Sequence, residues 1–210
     1  MAEPVGAVRA LMFAGLLSGL AGIVDAIGYL SLGGLFLSYM SGNSTQLAVS
    51  VGQGNLAGAA AIGELIVLFV LGVAAGQMLA GTVGRWQMTA VLTGVAILLT
   101  IAAMLATAPE PMVFAMGALN ASMHRAGDIP VSLTFVTGVL VRFGQGLGDS
   151  LTRRATRWSW VVQASPWLGM VTGATIGCVA YQQLAQTAIW VPVTLAILLA
   201  AWSLALPQPD

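Results

Sequence analysis

Charge is the scarcest property of this sequence. Only 7% of its 210 residues are charged, and every basic one is an arginine. Soluble domains carry charge at roughly a quarter of their positions, so an ordinary soluble fold is excluded. The seven arginines are matched by seven acids. That balance leaves no basic surface to displace counterions from phosphate, which removes nucleic acid as a partner. The single cysteine, Cys178, excludes an intrachain disulfide and a thiolate metal cluster, and it reads as a packing residue. The single histidine, His124, stands without the His, Cys or carboxylate spacing of a metal centre. No Ser-His-Asp set, phosphate-binding loop or dinucleotide fingerprint is present, so the expectation is a protein without cofactor or metal that is not an enzyme.

Apolar length is abundant by contrast. Hydrophobic residues make up 58% of the chain, glycine contributes 26 positions, and mean hydropathy is +0.93. This excludes a disordered chain and predicts an all-α polytopic membrane protein forming one membrane domain over 1–210. The N-terminus has an arginine followed by an apolar run, like a signal peptide, but the run continues into Asp25 and reads as a retained first helix. Six segments approach the length of about 20 residues that a spanning helix needs. They run roughly 9–32, 58–82, 88–107, 112–127, 164–184 and 187–206. Trp86, Trp158, Trp160, Trp190 and Trp202 fall mostly near their ends, where an aromatic belt belongs. Two further stretches, 36–53 and 131–151, are apolar but rich in Gly, Ser, Thr, Asn and Gln.

A weak internal repeat organises these segments. Gly22 and Asp25 align with Gly117 and Asn120 at an offset of 95, and Ser41-Gly42 aligns with Thr137-Gly138 at 96. Later, Gly72 and Gly76 resemble Gly173 and Gly177. Two homologous halves follow, 1–107 and 108–210. If 36–53 and 131–151 both cross, there are eight spans and the halves are parallel. If both are broken or re-entrant, there are six spans and the halves are inverted. Arg9, Arg85, Arg125, Arg153, Arg154 and Arg157 then share the cytoplasmic side with the N-terminus, and only Arg142 stays within the membrane. The positive-inside rule favours six full spans plus two polar segments, with eight spans as the alternative.

Polar groups at membrane depth are costly unless paired, hydrated or used. Asp25, Glu64, Asn120, Arg142 and Asp149 are of this kind. One reading makes them structural ion pairs holding helices together. The other has them lining a polar cavity, with Arg142 as a fixed positive charge and Asp25, Glu64 or Asp149 as candidates for proton coupling. Ser41, Gly42, Asn43, Ser44 and Thr45 form the sharper motif, with Thr137 and Gly138 as its partner. A Ser/Thr-Gly pair suits a helix break, and broken helices at matched positions of two repeats point to a transport site near the midplane. Ordinary small-residue helix packing is the competing reading, and it is the one assigned to Gly72, Gly76, Gly173 and Gly177.

The runs GIVDAIGYLSLGGLF at 22–36 and MSGN at 40–43, with AMGALNA at 115–121 and TFVTG at 134–138, resemble the two signatures of the YoaK-like family of bacterial membrane proteins, whose function is unknown. The chain departs from them at Ser41, where threonine is expected, and at Leu119, where glutamine is expected. The resemblance implies a bacterial inner-membrane location and brings no substrate with it. The leading expectation is a transporter or channel for a small polar or anionic solute. Its site would combine Asp25, Ser41, Gly42, Asn43, Ser44, Thr45, Asn120, Thr137, Gly138 and Arg142. The alternative is a non-transporting scaffold, sensor or regulator that offers exposed small-residue faces at 72–80 and 173–177 to another chain. The bilayer and a small solute are the expected partners, and a homo-oligomer stays open.

Overall fold

The computed structural model describes residues 3–105, 108–121, 136–152 and 164–205. All regular structure among the described residues is helical. The elements are α1 (Glu3–Ser31), α2 (Met40–Gly52), α3 (Leu56–Val83), α4 (Gln87–Met104), α5 (Pro109–Ala121), α6 (Val136–Leu151), α7 (Ser165–Leu184) and α8 (Trp190–Ser203). Short 3-10 turns, Gly84–Trp86 and Ala185–Ile189, join α3 to α4 and α7 to α8. Three stretches are long and apolar enough to cross a membrane: Met12–Ser31, Leu56–Met104 and Ser165–Ser203.

The ends of these helices are written in the sequence. Gly33 and Gly34 stop α1 with φ of +67° and +101°, which L side chains resist. The Gly34 N–H then bonds back to the Tyr29 carbonyl at 2.9 Å, satisfying a carbonyl that the helix end would leave bare. Prolines begin α5 and lie in the first turn of α7, where a missing N–H costs nothing. The chain reverses after α3 at Gly84 (φ 55°, ψ −126°) and after α7 at Ala185 (φ 48°, ψ −128°), nearly the same backbone conformation.

Two helix pairs are packed backbone to backbone through glycine. In the α3/α5 pair, a Cβ at Gly72 would strike the Phe114 carbonyl, one at Gly76 would strike Ala118, and one at Gly117 would strike the Phe69 carbonyl. In the α7/α1 pair, Gly173 stands against the Gly19 carbonyl, Gly177 against Ile23, and Gly22 against the Met170 carbonyl. The glycines of the small-residue faces at 72–80 and 173–177 are therefore packed against other helices of the same chain. Close approach of this kind maximises van der Waals contact, which holds helices together where the surroundings are as apolar as the side chains.

The contacts also fix directions. Gly15 lies against Ser165, Gly19 against Gly169 and Gly173, and Ile23 against Gly177, so α1 and α7 run parallel. Phe114 with Gly72 and Ala118 with Gly76 make α5 parallel to α3. The Thr89 hydroxyl at the start of α4 meets the Ser203 hydroxyl at the end of α8 at 2.8 Å, so those two helices are antiparallel. Phe13, early in α1, stacks edge-on against Trp202 at the end of α8, with ring centroids 5.6 Å apart. Ile23, further along α1, lies with Trp190 near the start of α8, so these two are antiparallel as well. Between the pairs sits one apolar core that includes Leu17, Leu20 and Val24 of α1, Leu92 and Leu99 of α4, Met116 and Leu119 of α5, and Leu199 of α8. The opposite faces expose Val67, Val70 and Met78 of α3, Ile176 and Val179 of α7, and Ile197 and Leu198 of α8. An outer surface so apolar suits lipid.

Candidate functional site

The polar centre of the fold is the connection between α1 and α2. Residues 32–39 leave the helix, and in apolar surroundings their backbone N–H and C=O groups need partners from side chains. Asp25 supplies the first set. Its Oδ1 accepts the N–H of Leu37 at 2.8 Å and that of Ser38 at 2.6 Å, and its Oδ2 accepts the Ser38 hydroxyl at 2.6 Å. Asp25 is 3% exposed, and three donors converge on its carboxylate. Asn43, fully buried, grips Phe36 from the other side. Its Oδ1 accepts the Phe36 N–H at 3.0 Å, and its Nδ2 donates to the Phe36 carbonyl at 2.6 Å. Gln46 donates from Nε2 to the Gly34 carbonyl at 3.0 Å. The rings of Tyr29, Phe36 and Tyr39 meet in sequence, tilted at the first contact and edge-on at the second, with centroids 5.2 and 5.3 Å apart.

These bonds describe a path. From Gly34 the chain descends along α1 until Ser38 lies level with Asp25, six residues before the last residue of α1. At about 1.5 Å per residue that is about 9 Å back from the helix end. The chain then returns as α2, which packs on α3 after the three-residue connection 53–55. Ser41, Ser44 and Thr45 lie exposed on α2, and Gly42 is half-buried against Tyr39. The hydroxyls of Ser44 and Thr45 donate to the Met40 and Ser41 carbonyls one turn back, which leaves their lone pairs outward.

The remaining candidates are placed elsewhere. Among the described residues, α6 packs on α7, whereas α2 packs on α3. On α6, Thr137 and Asp149 are exposed, Arg142 is half-buried and Gly138 is buried. Arg142 forms no ion pair among the described residues, and neither does Asp149 or Glu64. Glu64 is exposed on α3. Asn120 is half-buried on α5 and donates to the Met116 carbonyl at 2.9 Å. His124, Arg125, Thr134, Phe135, Arg153, Arg154 and Arg157 lie outside the described residues. Two surface grooves of about 500 and 430 Å³ flank α1, α7 and α8 and are apolar, lined by residues such as Ile23, Leu195 and Ile176. Sequence reasoning missed Ser38 and Gln46. The signal for them is a buried carboxylate upstream of a Gly33-Gly34 helix stop, since a segment leaving a helix there must find acceptors and donors.

Helices throughout the described residues, an apolar exterior and a polar, non-helical turn held by buried side chains are the marks of an α-helical membrane protein. The chain belongs to the DUF1275 family, described as a protein of unknown function, whose match covers residues 13–202. It is 44% identical over 197 residues to the UPF0700 transmembrane protein RA0705 of Rhizobium meliloti, covering 91% of this chain and 85% of that protein. It is 27% identical over 192 residues to the UPF0700 transmembrane protein YoaK of Bacillus subtilis, covering 83% and 85%. No solved structure matches the chain.

Proposed function

We propose that this protein is a transporter or channel for a small polar or anionic solute in the bacterial inner membrane, with its N-terminus cytoplasmic. The observation that carries the reading is the turn at 32–39. Irregular backbone at membrane depth persists only where protein buries it or water lines it, and broken segments of this kind are where transporters bind solute. Asp25 and Asn43 hold the turn in shape. Ser41, Gly42, Ser44 and Thr45 beside it present hydroxyl and backbone oxygens to a solute. Asn120, Thr137, Gly138 and Arg142 form the corresponding group of the second half, with Arg142 attracting anions. Asp25, Glu64 and Asp149 are the groups able to carry a coupled proton.

Two homologous halves, 1–107 and 108–210, support the same reading. Every glycine contact of the α3/α5 pair recurs in the α7/α1 pair, with α1 displaced by 95 positions onto α5 and α3 by 101 onto α7. The reversals at Gly84 and Ala185 obey the second displacement. Uptake into vesicles reconstituted with the purified protein tests the proposal, using a panel of small labelled anions and neutral polar solutes. Saturable uptake that falls at least tenfold in Arg142→Ala and Ser41→Ala is expected. Folded protein that admits none of the panel overturns it.

A further inference from the structure

We infer that α2 and α6 both fail to cross the bilayer and instead enter it from opposite faces, so that the two polar segments are a pair of gates, one for each side, and not two walls of one midplane site. Helix directions carry the argument. α1 and α7 are parallel, and α8 opposes α1. α4 opposes α8 and therefore runs with α1. α3, joined to α4 by the turn at Gly84–Trp86, opposes α1, and α5 follows α3. A chain that goes up in α1 and down in α3 has no net crossing left for α2. One that goes down in α5 and up in α7 makes no net crossing over the stretch between them that holds α6. Length agrees, since the 13 residues of α2 span about 20 Å where the hydrocarbon is about 30 Å thick.

The Asp25 clamp shows how the first segment enters: down beside α1 to the level of Ser38, then back out along α3. The strap at 33–38 is held by Asp25 of α1 on one side and by Asn43 and Gln46 of α2, which rests on α3, on the other. It thereby ties the α1/α7 pair to the α3/α5 pair at one face. α5 ends and α7 starts at the opposite face, and α6 lies between them in the sequence. As gates the two segments rest on the transport reading, whereas their positions rest on helix direction alone.

Single cysteines in a Cys178→Ala background separate the two. Full-length protein in right-side-out and inside-out vesicles is treated with a membrane-impermeant maleimide. Val51→Cys on α2 and Glu110→Cys at the start of α5 are expected to label from one face, and Arg85→Cys and Asp149→Cys from the other. Eight spans would instead group Val51, Glu110 and Asp149 together against Arg85, and that result overturns the inference. So does protection of both Val51 and Asp149 from either face. Val49→Cys and Leu151→Cys replace any variant that does not fold. An uptake failure with the expected labelling removes the transport reading and leaves the topology standing.

Discussion

At the residue scale, Asp25 is a carboxylate whose work is to receive hydrogen bonds. Replacing it with alanine strands the Leu37 and Ser38 N–H groups in a buried site, each at about 1–3 kcal/mol. Asp25→Ala is therefore expected to cost about 3 kcal/mol or more, read as earlier unfolding in a denaturant titration in detergent. Asp25→Asn keeps an acceptor for the two N–H groups and a donor for the Ser38 oxygen, and should lose about half as much. Equal losses in the two variants would show that charge, and not hydrogen bonding, holds the turn. Both Asp25 and Asn43 were legible as polar residues within an apolar sequence. Their partners were not, because main-chain groups leave no mark on residue identity, and a turn that folds back on its own helix has no periodicity to read.

At the element scale, the positions of the helices follow from apolar length and from the Gly and Pro stops, so each of the eight stretches seen in the sequence holds a described helix. Which helix meets which was hidden, since glycines in α1, α3, α5 and α7 all offer small faces and only three-dimensional register pairs them. That register makes a sharp prediction. Gly72→Ala and Gly173→Ala each drive a methyl into a carbonyl of the facing helix, where neither backbone can yield, and should destabilise by about 2–4 kcal/mol. Gly63→Ala and Gly81→Ala meet nothing within 4 Å and should be neutral or gain up to about 1 kcal/mol from helix propensity. Thermal aggregation midpoints of the four variants in detergent provide the measurement. Uniform losses across them would mean that helix contact is not what the glycines serve.

At the scale of the whole molecule, each close pair takes one helix from each half, α1 with α7 and α3 with α5. A half on its own would expose the glycine faces of two helices whose partners lie in the other half, and it would lack the α4–α8 contact sealed by Thr89 and Ser203. Close backbone packing contributes more to such a bundle than to a soluble one, because lipid competes on equal terms for apolar side chains. The halves should therefore be mutually dependent but need no covalent join. Residues 1–107 and 108–210, produced as separate chains in one cell, are expected to assemble, so that a tag on the first recovers the second in stoichiometric amount from detergent extracts. Each half produced alone should be degraded or aggregate. Gly173→Leu in the second half should abolish recovery, since it blocks α7 against α1, whereas Gly81→Leu in the first should not. A first half that folds alone and ignores the second would mean that the crossed pairs do not bind the two halves to each other.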